Sequence, residues 1–212
     1  MAGQTEAIGA AALVGGGQTD LHSHAGSGGS TPDARYYRKV GTSTYEAWYT
    51  AANTGTALTT GAVTLGRLYA IPFLCPKAIT LDRIAFNVTT LLAGYARAGI
   101  YSDTGSLYPG ARLLDGGEIS TGTTGVKSAT INQALAAGIY WLAFLASVAV
   151  TVRCFAVASL IPILGISNAL GTAPNLGIYA AQAYGALPAS FPGTPTMITA
   201  TPIPAVFVRL SA

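Results

Sequence analysis

The longest apolar stretch of the chain gives the main evidence for its fold. Residues 137–166 read AGIYWLAFLASVAVTVRCFAVASLIPILGI. The stretch is long enough for a bilayer-spanning helix of about 20 residues. Arg153 lies near its middle, however, and a charge at that depth costs about 2.5–3.5 kcal/mol. Side chains alternate with a period of two over residues 139–145 and again over residues 150–154. We therefore predict two consecutive buried strands, with a turn at residues 146–148, and no membrane span.

The same strand-like sequence pattern extends over most of the chain. Short runs rich in β-branched and aromatic residues are separated by Gly, Asn, Asp, Ser or Pro at near-regular spacing, and no long amphipathic helical stripe interrupts them. This pattern predicts an all-β fold, a β-sandwich of jelly-roll type. The predicted strands cover residues 44–50, 55–60, 63–73, 78–90, 95–101, 111–120, 125–131, 137–145 and 149–158.

One of these runs, AITLDRIAFNV at residues 78–88, changes the parity of its apolar positions. Ile79 and Leu81 share one face, but the next apolar residues, from Ile84 onward, would fall on the other face of a regular strand. An extra residue at Asp82 or Arg83 would restore the inward face. The sequence therefore predicts a β-bulge there.

The two ends of the chain differ from its middle. Residues 1–35 are rich in Gly, Ala, Ser and Thr and cannot form a core, so we predict an extended arm that anchors the protein in an assembly. The β-sandwich domain is predicted over residues 36–212. Its last part, residues 159–212, is a Pro-rich excursion with a short strand near GIYAAQ and a closing strand AVFVRL. Long loops of this kind are usually functional or interfacial, and we favour an interface.

Composition limits the classes of partner. Only 9% of the residues are charged, and 11 basic and 8 acidic residues leave a net charge of +3 without any run of like charge. Nucleic-acid binding needs clustered Lys and Arg, so a nucleic-acid partner is not expected. A surface with so little charge suits a protein that is partly hidden in an assembly.

The sequence contains no common catalytic motif. A glycosidase needs two facing carboxylates, and Asp115 and Glu118 in LLDGGEIS are the nearest candidates. A strand-end turn explains them more simply, and we predict that the protein is not an enzyme and requires no cofactor. Cys75 and Cys154 lie in apolar runs and are expected to be buried, inert thiols.

The two histidines, His22 and His24, form a His-x-His pair within DLHSHAG. Residues i and i+2 of an extended chain point the same way, so both imidazoles can face one ligand. Three chains on a threefold axis would present six imidazoles, a set that suits an octahedral first-row transition metal. The alternative is a solvated linker whose histidines bind nothing.

Several segments resemble proteins of tailed-bacteriophage particles. DLHSHAG and DARYYRKV resemble the connectors that lead into trimeric tail-fibre domains. His-x-His motifs that bind metal on the axis are also known from phage fibre and spike tips. A longer resemblance, to a β-sandwich module of phage virion proteins, covers about residues 45–158 and part of the C-terminal strand. It rests on TALTTGAVTLGRLYAIPF, ITLDRIAFNVTT, ARAGIYSDTGSLYPGARLLDGGEIS and LAAGIYWLAF.

The resemblance implies a location in the virion and a structural or adsorption role. The expected function is a homotrimeric tail fibre or tail-associated adsorption component, attached to other virion proteins through residues 1–35 and contacting a host surface glycan or protein. One alternative is a capsid decoration or head-fibre protein, and another is a lectin-like glycan-binding module. For glycan binding we expect exposed aromatic side chains in loops, and the candidates are Tyr101, Tyr108, Tyr179 and Tyr184.

Overall fold

The computed structural model describes residues 48–53, 58–156, 159–165 and 174–211. Within these ranges the chain forms fourteen β-strands, so the predicted all-β sandwich is confirmed. The predicted arm, residues 1–35, lies outside the described residues. The strands are β1 (Trp48–Tyr49), β2 (Thr59–Ala62), β3 (Arg67–Cys75), β4 (Ile79–Thr90), β5 (Tyr95–Asp103), β6 (Pro109–Asp115), β7 (Ile119–Ser120), β8 (Gly125–Leu135), β9 (Gly138–Ala146), β10 (Thr151–Phe155), β11 (Gly177–Ala181), β12 (Thr196–Ile198), β13 (Ile203–Pro204) and β14 (Phe207–Leu210).

The described strands form two seven-stranded antiparallel sheets. In sheet 1 the order is β1-β14-β4-β10-β13, with β8 paired to β4 and β2 paired to β10. In sheet 2 the order is β12-β11-β3-β9-β5-β6, with β7 paired to β5. Strand β4 lies in the middle of sheet 1, and the strongly apolar strand β9 lies in the middle of sheet 2.

The main core lies between the sheets. Phe86 of β4 and Phe144 of β9 meet edge to face, with 5.1 Å between ring centroids and 79° between ring planes. Both side chains are almost completely buried. Alternate residues of the other central strands fill the same layer, which explains the period-two pattern of the sequence.

A second apolar cluster covers the opposite face of sheet 2. Residues 182–195, here called the cover segment, bring Leu187 and Phe191 against Tyr101 and Trp141. Phe191 packs edge to face on Tyr101 with 5.4 Å between ring centroids, and the Tyr101 hydroxyl donates a 2.9 Å hydrogen bond to the carbonyl of Pro188. Sheet 2 is therefore buried on both faces, which is why β9 is apolar at consecutive positions.

Strand β6 and the cover segment together account for a glycine inside β5. A Cβ atom added to Gly99 would lie 2.3 Å from Leu187 Cδ1 and 2.6 Å from the carbonyl oxygen of Leu114. The end of the Leu187 side chain could move aside, but the Leu114 carbonyl oxygen belongs to the backbone of β6 and could not. A residue without Cβ is therefore needed where β6 passes β5. The predicted interface of the Pro-rich excursion stays a prediction; within the excursion, residues 182–195 pack on sheet 2.

The predicted bulge is present in β4. The register of the β4–β8 pair shifts between Leu81 and Arg83, and the β4–β14 pair shifts between the partners of the same residues. Asp82 receives two 2.8 Å hydrogen bonds from the Arg209 guanidinium group. Ile84 and Phe86 thereby return to the inner face, as the parity change predicts.

The apolar stretch that decides the fold forms β9 and β10, and the predicted turn lies between them. The two strands belong to opposite sheets, so residues 147–150 cross from sheet 2 to sheet 1 and do not close a hairpin. In the described part of the chain, no helix has the length and apolar character needed to cross a bilayer.

Candidate ligand-binding groove

A groove of about 710 Å³ lies at the end of the sandwich where β5 passes into β6. Its first wall is the β5–β6 turn and the start of β6. Its second wall is the end of the cover segment. We call it the loop groove, and the residues that line it are Thr104, Tyr108, Pro109, Gly110, Ala111, Ser190, Phe191, Pro192, Gly193, Thr194 and Pro195.

The carboxylate of Asp103 organises the first wall. Its Oδ1 atom accepts a 2.9 Å hydrogen bond from the indole N–H of Trp141, and its Oδ2 atom accepts backbone N–H groups of Gly105 at 2.6 Å and Leu107 at 3.4 Å. Gly105 has a φ of 88° and Leu107 a φ of 58°, so both occupy the left-handed region. The carboxylate thus offsets the cost of a tight turn and places Tyr108 at its exit.

The second wall is hydrogen-bonded to the first. The Phe191 N–H donates to the carbonyl of Gly110 at 2.9 Å, and the Arg112 N–H donates to the carbonyl of Ala189 at 2.8 Å. An isolated antiparallel bridge pairs Ala111 with Ser190. Phe191 is buried against sheet 2, so the groove stands on a packed floor.

None of the described residues that line the loop groove carries a charged side chain. Tyr108 is 41% exposed, and the hydroxyl-bearing residues Thr104, Ser190 and Thr194 are exposed beside it. An aromatic ring surrounded by hydroxyl groups can bind a ligand by stacking and neutral hydrogen bonds.

The two carboxylates considered for glycosidase chemistry contact the same cation. Arg97 lies 3.0 Å from Asp115 and 3.5 Å from Glu118. Asp115 also accepts the N–H groups of Gly117 at 3.0 Å and Leu187 at 2.9 Å. Burial alone lowers the pKa of Arg97, but the attraction and hydrogen bond of Asp115 outweigh it, so this pKa is raised. Asp115 thus connects the cover segment to sheet 2 through the Leu187 N–H. This structural role agrees with the explanation of the two carboxylates by a strand-end turn.

The four candidate tyrosines have different environments. Tyr101 is fully buried, so the expectation of an exposed ring is wrong for it, and burial raises the pKa of its hydroxyl. Tyr179 is half-buried, with the Arg67 guanidinium 4.1 Å from its ring centroid. The Tyr184 hydroxyl donates to Glu118 at 3.2 Å, and burial followed by this hydrogen bond raises its pKa. Tyr108 alone among the four lines the loop groove.

The proposed metal ligands His22 and His24 lie outside the described residues. Among the residues that the structure describes, no group of three or more His, Cys, Asp or Glu side chains could hold a metal ion.

A second groove, of about 480 Å³, lies against sheet 1. Its apolar lining includes Trp48, Val126 and Phe207, and Arg153 is exposed at its side. Arg153 donates a long hydrogen bond of 3.4 Å to the carbonyl of Leu58.

Both cysteines are buried, as the sequence predicts, with 2% of each residue exposed. Burial raises the pKa of the Cys154 thiol to about 12 and also raises the pKa of Cys75. Only the thiolate reacts rapidly, so at pH 8 we expect both thiols of the native protein to react about 100-fold more slowly than those of the unfolded chain. Absorbance with a thiol-exchange reagent, with and without guanidinium chloride, measures this ratio. Rapid labelling of either cysteine in the native protein would contradict the described burial.

Sequence reasoning placed the turn residues Asp103, Pro109 and Gly110 but missed the second wall. Ser190 and Thr194 stand some 80 positions away from Tyr108 in the chain, and no local pattern indicates their meeting. The density of prolines in residues 188–195 was the only available signal.

A scan of protein-family models finds none that matches the chain, and a search of curated proteins finds no match either.

Proposed function

We propose that the protein is a non-enzymatic structural component of a bacteriophage virion, a homotrimeric tail fibre or tail-associated adsorption protein that contacts the host surface through the loop groove. The observation that carries this proposal is the groove itself, which is built from two hydrogen-bonded walls at one end of a rigid sandwich. Residues 1–35 would attach the protein to other virion proteins.

The groove supports binding better than catalysis. Among the described residues, its lining offers hydroxyl groups and one exposed ring but no carboxylate, histidine or thiol. General acid–base and nucleophilic catalysis both need such groups. Asp103, the carboxylate nearest in sequence to Tyr108, already accepts three N–H groups.

Adsorption can be tested with the purified, fluorescently labelled full chain. We expect it to label cells of a susceptible bacterium and to compete with phage adsorption, with both effects reduced by Thr194→Trp, which fills the groove. Leu113→Trp is the matched control, because Leu113 is also exposed but lies on β6 outside the groove lining. Labelling that is equal for all three proteins would refute a role for the loop groove.

The trimer is tested by light scattering coupled to size exclusion. A native mass near three times 21.5 kDa is expected. Elemental analysis of the same sample, compared with the double variant His22→Ala and His24→Ala, tests the axial metal. A monomeric mass would remove the six-histidine site.

The opposite end of the sandwich favours a second candidate function, a capsid decoration or head-fibre protein. Three turns connect the sheets there, and they expose Leu65, Leu91, Leu92 and Tyr95, each between 46% and 53%. Residues 63–66, 91–95 and 147–150 contain no charged side chain. Exposed apolar patches of this kind mark protein-binding surfaces.

This candidate predicts binding to phage capsids instead of host cells. A double variant, Leu91→Ser with Leu92→Ser, should weaken co-sedimentation with expanded capsids, whereas Leu113→Ser should not. Cell labelling without capsid binding would favour adsorption, and the reverse would favour decoration.

A further inference from the structure

We propose that the loop groove binds a neutral glycan, a short stretch of uncharged hexose or N-acetylhexosamine units, with one sugar stacked on Tyr108. This inference deepens the adsorption function proposed above and rests on it for the biological source of the ligand. It assigns the chemistry of the ligand from the lining of the groove.

The first step concerns charge. None of the eleven residues that line the groove is charged. The nearest ionic groups are already engaged, because Asp103 accepts three N–H groups and the Arg112 guanidinium donates to the carbonyl of Leu187. Recognition of phosphate, sulfate or carboxylate uses Arg, Lys or a row of free N–H donors, and the described lining residues include no cation. An anionic ligand would therefore bring its charge into the groove without compensation.

The second step concerns hydrogen bonding. The hydroxyls of Thr104, Ser190 and Thr194 can each donate and accept, which is the same capacity that sugar hydroxyls have. All three residues are exposed along the groove. The face of the Tyr108 ring is large enough to cover the C–H face of one sugar ring, and its 41% exposure leaves it accessible.

The third step separates a glycan from a peptide. Extended peptides bind grooves by pairing their main chain with free N–H and C=O groups. Pro109, Pro192 and Pro195 line the groove and have no N–H to donate. The N–H of Phe191 is already bonded to the carbonyl of Gly110. Few main-chain donors remain for a peptide, whereas a glycan needs only side-chain hydroxyls and a ring.

The fourth step concerns the cost of ordering the site. Asp103 holds the β5–β6 turn through two backbone N–H groups, and the bridge between Ala111 and Ser190 holds the second wall against β6. The groove is formed before a ligand arrives, so little binding energy is lost in ordering it. Preorganisation of this kind makes weak neutral contacts sufficient when three subunits bind together.

The test uses the labelled full chain on an array of immobilised neutral oligosaccharides (oligomers of glucose, mannose, galactose and N-acetylglucosamine) and anionic ones (oligogalacturonate and sialylated oligosaccharides). We expect binding to at least one neutral series and none to the anionic set. Binding should change less than about twofold between about 50 mM and about 500 mM salt, because no ion pair contributes.

Three variants assign the binding to Tyr108. Tyr108→Ala should weaken binding about tenfold or more, and Tyr108→Phe should retain it, because the ring and not the hydroxyl makes the stacking contact. Tyr95→Ala is the matched control, since Tyr95 is 49% exposed at the opposite end of the sandwich. Thermal melting of each variant verifies that the fold is intact.

Binding only to anionic oligosaccharides, binding that falls steeply with salt, or no binding to any neutral oligosaccharide would overturn the assignment. So would unchanged binding by Tyr108→Ala.

If the protein labels host cells but binds no neutral glycan, and protease treatment of the cells removes the label, the ligand is a protein: the inference fails while the adsorption function stands. If neutral glycans are bound in a Tyr108-dependent manner but bacterial cells are not labelled, the adsorption function fails and the inference stands.

Discussion

Replacing Trp141 by alanine should lower the free energy of unfolding by about 3–5 kcal/mol and can prevent folding altogether. Trp141 is fully buried in the layer between sheet 2 and the cover segment, where it packs in the same cluster as Tyr101 and Leu187. Its indole N–H also donates to Asp103, which shapes the loop groove. The variant therefore loses a large apolar side chain and, in addition, a constraint on the candidate site.

Equilibrium urea unfolding of the purified chain measures this effect. Trp141→Phe separates its two components, because phenylalanine retains most of the apolar contact but leaves the Asp103 carboxylate without the indole donor. We expect about 1–3 kcal/mol for this milder change. Phe86→Ala, in the main core, should again cost about 3–5 kcal/mol but leave the groove's hydrogen bonds in place. Wild-type-like melting of either alanine variant would contradict the assignment of β9 or β4 as a buried central strand.

Replacing Asp115 by alanine should lower the free energy of unfolding by about 2–4 kcal/mol. The carboxylate joins three parts of the molecule, since it accepts hydrogen bonds from Arg97, from Gly117 and from the N–H of Leu187 in the cover segment. Arg97 and Asp115 are each 15% exposed at the side chain, so removing the carboxylate leaves a cation largely shielded from water. We expect the cover segment to loosen before the sandwich unfolds.

Urea unfolding again provides the free energy, and hydrogen exchange of residues 182–195 reports on the cover segment. Glu118→Gln is the matched control, because Glu118 contacts the same guanidinium but its side chain is 47% exposed. It should change stability by less than about 1 kcal/mol. Equal losses for the two variants would contradict the role given to Asp115. The amide variants Asp115→Asn and Glu118→Gln test the absence of glycosidase activity, since neither should alter any glycan cleavage.

Much of the fold could be predicted because its signals are local. Alternation in AITLDRIAFNV reflects which side chains of one strand face the core, and the parity change at Asp82 and Arg83 marks an added residue whatever strand lies next to it. The bulge is therefore readable without knowing that β8 and β14 flank β4. The same holds for the buried thiols, whose apolar neighbours in the sequence are also their neighbours within a strand.

The candidate site was predictable only in part. The backbone preferences of Asp103 and Pro109 predict a turn, so the first wall of the loop groove can be recognised in the sequence SDTGSLYPG. The choice among four tyrosines was not visible, because exposure depends on what packs over a strand. In the sequence, Tyr101 is simply one position of an alternating strand pattern, and its burial results from contact with Phe191 and Pro188. Tyr108 differs from the other three tyrosines in the open space beside its ring.

Hydrophobic periodicity and turn chemistry act over a few positions, so the order of the residues is enough to predict a β-sandwich with a bulged strand and two buried cysteines. The three-dimensional structure was needed to show that β9 and β10 belong to opposite sheets, that residues 182–195 form a third layer, and that Thr194 lines the same groove as Tyr108. Those outcomes depend on which distant segments bury each other's apolar faces and pair each other's backbone groups, and such pairings between remote parts of the chain leave no local trace in the order of the residues.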